Sequence, residues 1–409
     1  MCKMMIMSLG GSPEPLKKSI TCHKPEKIIF LASHDSIILA GDILNHLTPK
    51  PAAEFEITDD PNIMFECYMA ARRCVDRIKK KDIPAEQVVV DYTGGTKVMT
   101  ASLILATIGE PYKFNYVGGE KRNKDGVGVV VNGFEKMYPE MSPWSIFAEE
   151  ERRQVVTLFN SRRFYSAIKI IGLCDRPLPR EISDYFAFVR PIAEGFLLWE
   201  QFDHKASLRK LKEGHKALKD FIGTYVNSAL QSFVNGIEAC LQYLDLLVTQ
   251  TEGLNKLHII LVKDLVNNAR RRMADRRYDD AAARLYRALE LYGQILFYEK
   301  SGCLNDAVKP EMIPDEIKGE FIRKYQDRGK KTLKLPLTAT FKYLELVGNE
   351  AGARFFDNFK KIKDVQSNRN YSILAHGTRP ISEKALNSIF ETVTDFVHEK
   401  DFFDFPMLP

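Results

Sequence analysis

The sequence predicts an α/β domain followed by an all-α region. Over roughly the first 140 residues, short apolar runs alternate with helical patterns, which is typical of a mainly parallel sheet with helices on both faces. From about residue 145 to residue 400, nearly every segment has helical periodicity. A length of 409 residues suffices for about two to three domains. We therefore expect a Rossmann-like domain at residues 1–142, a helical connector at 143–265 and a second helical domain at 266–409.

Five apolar runs are the predicted strands of the first domain, and they occupy residues 4–9, 27–33, 88–92, 113–119 and 126–131. The last two are expected to form a hairpin across the charged loop at residues 120–125. Between the second and third runs, Asp60-Pro61 has the character of an N-cap followed by a first helical residue. A helix is predicted to begin there, because apolar residues follow at helical spacing: Ile63, Cys67, Ala71, Cys74 and Ile78.

Composition narrows the class of protein. Hydrophobic residues make up 45% of the chain and charged residues 28%, as in ordinary soluble domains, and the net charge of +5 permits a polyanionic partner without requiring one. Seven cysteines without CxxC pairs match neither a disulfide framework nor a zinc site, so we expect a reducing, cytoplasmic environment. No apolar stretch approaches the length of a membrane span, and the apolar stretch at the N-terminus is too short for the hydrophobic core of a signal peptide.

Three of the predicted strands end in small, polar turns. Open parallel sheets bind ligands beyond the carboxyl ends of their strands, where glycines admit a ligand to the backbone N–H groups. Hydroxyls, a lysine and a helix N-terminus add further groups for a phosphate. The alternative is a tight turn that needs positive φ and nothing more, and neither P-loop nor dinucleotide-binding spacing is present. The candidate ligand-binding residues are Gly10, Gly11, Ser12, Ser33, His34, Asp35, Thr93, Gly94, Gly95, Thr96 and Lys97.

The third turn carries a family resemblance. The run DYTGGTKVM at residues 91–99 resembles the signature of CRISPR-associated Rossmann-fold (CARF) domains, and the other two turns fall where that family has its other ligand loops. The resemblance implies a homodimer in which two such domains form one pocket for a cyclic oligoadenylate, the tetra- or hexa-adenylate, as activator rather than cofactor. Some CARF domains also cleave the bound ring, for which Ser12, Thr93, Thr96 and Lys97 are the candidates here.

The helical region has one stretch with catalytic character, SNRNYSILAHGTRP at residues 367–380. Phe355 and Ile362 lie seven residues apart, and continuing this heptad reaches Arg369 and then His376. If one helix carries all four, two ionisable side chains lie on its buried stripe, which is costly unless they have partners or a function. Two alternatives remain: a new helix capped by Ser367 or Asn368, or an ordinary ion-paired arginine with a hydrogen-bonded core histidine.

Arg369, Asn370 and His376 resemble the R-x(4–6)-H motif of HEPN ribonucleases, helical domains that commonly accompany CARF sensors; the tighter RNxxxH form is not matched. The resemblance implies a metal-independent endoribonuclease that cleaves single-stranded RNA in type III CRISPR antiviral defence, with both motifs of a dimer in one cleft. His376 would transfer protons, Arg369 would hold the phosphate oxygens, and Asn370 would orient the phosphate or the histidine. We find no cluster with metal-ligand spacing.

Two further interpretations stay open at this point. Arg270–Arg272 with Arg276 and Arg277 forms either a solvated helix face or a path for RNA phosphates. For the whole chain, the alternative function is a non-catalytic cyclic-nucleotide sensor or scaffold whose helical domain docks a protein partner. The two functions differ at Arg369 and His376, which would be buried in intramolecular pairs in a sensor and open to a cleft in an enzyme.

Overall fold

A computed structural model describes residues 2–119, 121, 130–131, 133–139, 144–173, 178–225, 228–326, 329, 331–373 and 377–409. The chain divides into two compact units, Met1–Gln154 with Gly172–Ser183 and Val155–Ile171 with Asp184–Pro409. Within the described residues, no helix is both long enough and apolar enough to cross a bilayer.

The first unit contains a six-stranded sheet in the order β3-β2-β1-β4-β5-β6. Strands β1 to β5 are parallel to one another, and β6 is antiparallel to β5. The chain starts in the middle of the sheet, adds strands on one side and then on the other, so the strand order reverses between β1 and β4. The strands are β1 (Met4–Ser8), β2 (Lys27–Ser33), β3 (Ala52–Thr58), β4 (Val88–Asp91), β5 (Lys113–Gly119) and β6 (Glu135–Pro139).

Helices cover both faces of this sheet, namely α1 (Pro13–His23), α2 (Ile37–Asn45), α3 (Met64–Lys80) and α4 (Lys97–Thr107). Alternate residues of β1 point to opposite faces, with Met4 and Ile6 packing with α3 and α4, and Met5 and Met7 with α1 and α2. All five residues of β1 are buried, as expected for a central parallel strand. The predicted parallel α/β domain is thereby confirmed.

Within this unit one strand was not predicted, and one predicted helix start is wrong. Strand β3 was not predicted because two glutamates interrupt its sequence AAEFEIT, which therefore lacks a continuous apolar run. It lies at the sheet edge, where Glu54 and Glu56 form ion pairs with Arg77. Helix α3 begins at Met64, not at Asp60-Pro61, because Asp60 forms a preceding turn in which its carboxylate accepts from the Asn62 amide at 2.8 Å. The apolar stripe of α3 is buried as predicted, at Cys67, Ala71, Cys74 and Ile78.

The hairpin prediction is correct in type but wrong in its second strand. The antiparallel partner of β5 at this edge is Glu135–Pro139. Of the predicted run, residues 126–129 lie outside the described residues, and the amide of Val131 donates to the carbonyl of Lys121 at 3.0 Å.

From Trp144 onward the described elements are helical. They are α5 (Trp144–Asn160), α6 (Phe164–Leu173), α7 (Arg180–Glu200), α8 (His204–Thr224), α9 (Leu230–Gln250), α10 (Ile260–Ala274), α11 (Tyr278–Ser301), α12 (Asp315–Tyr325), α13 (Leu337–Leu346), α14 (Glu350–Asp357), α15 (Phe359–Tyr371) and α16 (Glu383–Val397). Helix α11 is central to the largest apolar cluster, where Leu285 and Leu289 pack among residues of α10, α13, α15 and α16. The predicted division of this region at residue 265 stays a prediction.

A buried polar cluster joins α7 to α10. Glu200 accepts from Arg271 at 2.5 Å and from Arg272 with its other oxygen. Arg271 is 1% exposed, and its guanidinium lies 4.1 Å from the ring centroid of Phe405. The expectation that Arg270–Arg272 with Arg276 and Arg277 form a solvated face or an RNA path is therefore wrong for Arg271, which is buried, and for the half-buried Arg272, because both pair with Glu200. Arg276 and Arg277 are exposed, and an RNA path there stays a prediction.

Candidate functional site

The three polar turns follow parallel strands and therefore lie at one edge of the sheet. Residues 10–12 follow β1, residues 33–35 end β2 and begin its turn, and residues 93–97 link β4 to α4. Strands β1 and β4 are hydrogen-bonded neighbours, with Met7 opposite Asp91. The first and third turns thus meet at the position where the strand order reverses, which is where open α/β sheets bind ligands.

The glycines of these two turns pack backbone against backbone. A Cβ on Gly10 would lie 2.2 Å from the backbone nitrogen of Gly95, and a Cβ on Gly94 would lie 2.4 Å from the carbonyl oxygen of Ser8. Gly95 also has a φ of +82°, in the region that favours glycine. The two adjacent glycines are thus required by the fold itself, whether or not a ligand approaches them. A Cβ on Gly11, by contrast, would meet no atom within 4 Å.

Both threonines of the third turn have structural hydrogen bonds. The hydroxyl of Thr96 caps α4 by accepting from the Met99 amide at 3.1 Å, and it donates to the Pro61 carbonyl at 2.7 Å. The hydroxyl of Thr93 accepts from the Val117 amide at 2.8 Å, which leaves its proton free to donate. Thr93 therefore keeps a donor for a ligand, whereas the proton of Thr96 is already used.

A buried carboxylate, which was not predicted as a site residue, fixes the start of this turn. Asp91 has no exposed surface; it accepts from Ser19 and from Asn115, each at 2.5 Å, and from the Thr93 amide at 3.0 Å. Its signal in the sequence is an acid directly after a run of buried valines. Asp91 therefore orients the turn from below rather than facing the open edge.

Four of the predicted ligand residues present exposed side chains at this edge. Ser12, His34, Asp35 and Lys97 are exposed. The side chain of Ser12 makes no capping bond at the start of α1, and no described carboxylate pairs with Lys97. Ser33 is 9% exposed and its hydroxyl lies 3.1 Å from that of Ser36, so it stabilises its own turn. The amino ends of α1 and α4 add two positive dipole ends to the same edge.

The second candidate site lies at the end of α15. The stripe from Phe355 to His376 is not one helix, because α14 ends at Asp357 and α15 runs from Phe359 to Tyr371. The expectation that one helix carries Arg369 and His376 on a buried face is thus wrong, and the alternative of a new helix capped by Ser367 or Asn368 is also wrong, since both lie inside α15. His376 lies outside the described residues.

Arg369 is half-buried and lies over an aromatic face rather than beside an acid. Its guanidinium is 5.1 Å from the ring centroid of Tyr286 on α11, and its Nη1 donates to the side-chain oxygen of Asn370 at 3.1 Å. No ion pair joins it to a carboxylate in the described ranges. Burial, followed by the charge of Glu290, raises the pKa of Tyr286, so this ring stays neutral beneath the cation. The arginine is thereby held in place with donors left over for an anion.

Groups of three or more histidine, cysteine or acidic side chains with the arrangement of a metal site are absent from the described residues. The cysteines that the structure describes are free thiols, and burial raises the pKa of Cys2 to about 11.

Two family models match the chain. The Csm6 6H domain matches residues 147–244, and the Csm6 HEPN domain matches residues 250–400. Together they cover more than half of the chain. The chain belongs to the Csm6 family of CARF–HEPN proteins. Arg369, Asn370 and His376 all fall inside the span that matches the Csm6 HEPN domain, in agreement with the resemblance seen in the sequence.

The fold of this Csm6-family chain is similar to that of a solved relative. Csm6 from Enterococcus italicus, bound to cyclic hexa-2′-fluoro-hexa-dAMP, superimposes with a TM-score of 0.61 over 97% of this chain and 94% of that one. The two sequences are 10% identical, so the likeness establishes the fold. It confirms the predicted fold class, a Rossmann-like CARF domain followed by helices that end in a HEPN domain.

Two other solved structures are too dissimilar to support an inference about this chain. Protein VC1899 from Vibrio cholerae matches with a TM-score of 0.26 and 15% identity over 28% of this chain and 30% of its own. Can2 from Sulfobacillus thermosulfidooxidans, in complex with cyclic tetra-adenylate, matches with a TM-score of 0.24 and 14% identity over 41% of this chain and 50% of its own. The curated proteins include no match.

Proposed function

We propose that this Csm6-family chain is a cyclic-oligoadenylate-activated endoribonuclease that cleaves single-stranded RNA in type III CRISPR antiviral defence. The observation that carries the proposal is the Csm6 HEPN match at residues 250–400, with Arg369 inside it and unpaired with any described acid. The sensor–scaffold alternative expects Arg369 to be buried in an intramolecular pair. Its half-buried position over Tyr286, with donors to spare, favours the enzyme.

The chemistry needs few groups because RNA brings its own nucleophile. The 2′-oxygen bonds to phosphorus, the bond from phosphorus to the 5′-oxygen breaks, and the products carry a 2′,3′-cyclic phosphate and a 5′-hydroxyl. His376 takes or gives the proton in this exchange, since imidazole titrates near neutral pH. Arg369 stabilises the negative charge on the phosphate oxygens, and Asn370, hydrogen-bonded to it at 3.1 Å, fixes its direction.

The activator site is the carboxyl edge of the sheet in the first unit. Lys97, the free hydroxyl proton of Thr93 and the amino ends of α1 and α4 are suited to the phosphates of a ring. His34 and Ser12 add exposed polar groups. One edge faces only one side of a ring, so a second copy of the chain would complete the pocket.

Exposed apolar side chains on α3 and α4 support the homodimer. Phe65 is 70% exposed and Met69, one helical turn further on, is 42% exposed. The Ser102 hydroxyl donates to the Met64 carbonyl at 3.0 Å, which places α4 beside this end of α3, and Leu105 on α4 is 50% exposed. An apolar surface of this kind is usually covered by a partner, and a second copy is the partner that the shared ring requires.

RNA cleavage by the purified protein tests the proposal. We expect single-stranded RNA to be cleaved faster with cyclic tetra- or hexa-adenylate than without, to products with 2′,3′-cyclic phosphate ends, and equally well in EDTA. Ring binding without any cleavage would favour the sensor–scaffold function. Inhibition by EDTA that is reversed by magnesium or manganese would contradict the metal-independent mechanism.

The activator site is best tested at Lys97, because substituting Gly10, Gly94 or Gly95 would disturb the packing of the turns themselves. Lys97→Ala removes one charged donor and should weaken ring binding by about 1.5–3 kcal/mol, roughly 10- to 150-fold in Kd. The measurement is calorimetric titration, with RNA cleavage in the absence of ring as a check that the HEPN domain is intact.

Lys80→Ala is the matched control. Lys80 is an exposed lysine at the far end of the 17-residue helix α3, roughly 25 Å from the carboxyl edge of the sheet. It should bind the ring like wild type. If Lys97→Ala and Lys80→Ala bind equally well, the ring does not contact Lys97.

A further inference from the structure

A cavity of about 590 Å³ lies beside the carboxyl end of α15. Asn368 and Tyr371 line one side; they flank Arg369 and Asn370 in the same helix. The rest of the lining comes from Gly377, Thr378, Arg379, Pro380, Ile381, Ser382 and Ala385. This volume lies within the usual range for small-ligand pockets and is ample for one nucleotide. The cavity therefore lies at the same end of α15 as Arg369, although Arg369 is not one of its lining residues.

Tyr371 is the last residue of α15, and its aromatic side chain is largely exposed. It is 72% exposed, and its ring stacks on no other aromatic side chain among those that the structure describes. An exposed aromatic ring with no packing function is suited to stacking on a base, because every base has an aromatic face. Tyr371 lies two residues after Arg369, and side chains at that spacing point to different sides of a helix, so Tyr371 offers a surface at the same end of α15 but on another side from Arg369.

Arg379 faces the same cavity from a fixed backbone. The Ile373 amide donates to the Arg379 carbonyl at 3.1 Å, and the Gly377 amide donates to the Ser372 carbonyl at 3.1 Å, so the returning chain is tied to the end of α15. Two residues after Arg379, the Ile381 amide donates to the carboxylate of Asp279 at 3.3 Å, which holds the chain on this side as well. The side chain of Arg379 is exposed and pairs with no described acid, which makes the cavity positive.

We propose that this cavity binds one nucleotide of the single-stranded RNA outside the catalytic motif itself, with Tyr371 stacked on its base and Arg379 on its phosphate. The inference rests on the proposed ribonuclease function and adds the substrate contacts. Stacking accepts any base, so this subsite tolerates all four bases and rejects a paired strand, whose bases are already stacked.

Steady-state kinetics and RNA binding test the two contacts. Tyr371→Ala should raise KM for single-stranded RNA about tenfold or more with little change in kcat, because the stack forms before the chemical step and persists through it. Tyr371→Phe keeps the ring and should stay near wild type. Arg379→Ala should weaken RNA binding at low salt and reduce the salt dependence by about one charge.

Tyr298→Ala is the matched control, an exposed tyrosine 12 residues beyond Tyr286 on α11, roughly 18 Å along the helix. Binding is measured with 2′-O-methyl RNA, which lacks the nucleophile and reports on the cavity even if no cleavage occurs. A wild type that binds this RNA through Tyr371 but never cleaves would contradict the proposed function and support the cavity. Normal KM and normal 2′-O-methyl RNA binding in Tyr371→Ala, as in Tyr298→Ala, would overturn the inference.

Discussion

The His376→Ala variant should lose RNA cleavage by at least about a hundredfold, because a positioned general acid or base contributes on the order of 10²–10⁴ to a rate. The choice of His376 rests on the sequence motif, in which it follows Arg369 by seven residues. The CARF unit is unchanged, so ring binding should stay at the wild-type value. Cleavage is measured as initial rates with saturating ring.

Two controls sharpen this test. His46→Ala removes an exposed histidine of the first unit and should leave cleavage unchanged. Arg369→Ala should lower kcat strongly and not be rescued by Arg369→Lys, since a lysine cannot present a planar fork over the Tyr286 ring. A His376→Ala protein that cleaves at the wild-type rate, at equal purity, would remove His376 from the mechanism.

The architecture was predictable because its signals are local. Runs of apolar residues between glycine-bearing turns identify central parallel strands, and β1, β2 and β4 were found in this way. Strand β3 was missed because an edge strand needs no continuous apolar run, and its glutamates are matched by arginines and a lysine at the end of α3. Edge strands depend on partners distant in the sequence, which no local pattern contains.

The turn at residues 93–97 shows the same limit at a site. The sequence indicated that its glycines matter, and it offered ligand access or positive φ as reasons. The structure adds a third reason, the contact of Gly94 and Gly95 with the β1 turn, which depends on β1 and β4 being neighbours. The basic run at Arg270–Arg272 shows even more clearly that local sequence cannot reveal a partner distant in the chain. Only the fold places Glu200 beside it, where it pairs with the buried Arg271 and the half-buried Arg272.

The buried ion pair of Glu200 and Arg271 should give the largest effect of a substitution on stability. Glu200→Ala should destabilise the helical unit by about 3–5 kcal/mol, because removing one partner of a buried ion pair leaves the other charge uncompensated. Arg271, at 1% exposure, has no other acid partner in the described part of the chain, and its two terminal nitrogens already lack hydrogen-bond acceptors there. Arg272 would lose the same carboxylate.

Thermal unfolding can be followed by the fluorescence of Trp199, because Trp199 precedes Glu200, is fully buried and is one of only two tryptophans. The unfolding midpoint should fall by roughly 6–20 °C for a unit of this size. Glu200→Gln keeps one acceptor oxygen but loses the charge and the second acceptor, so its midpoint should lie between those of wild type and Glu200→Ala. Glu345→Ala, which removes the half-exposed partner of Lys342, is the surface control and should cost less than about 1 kcal/mol. If Glu200→Ala is no more destabilising than Glu345→Ala, water or another group must compensate Arg271, and the buried cluster does not stabilise the helical unit through this charge pair.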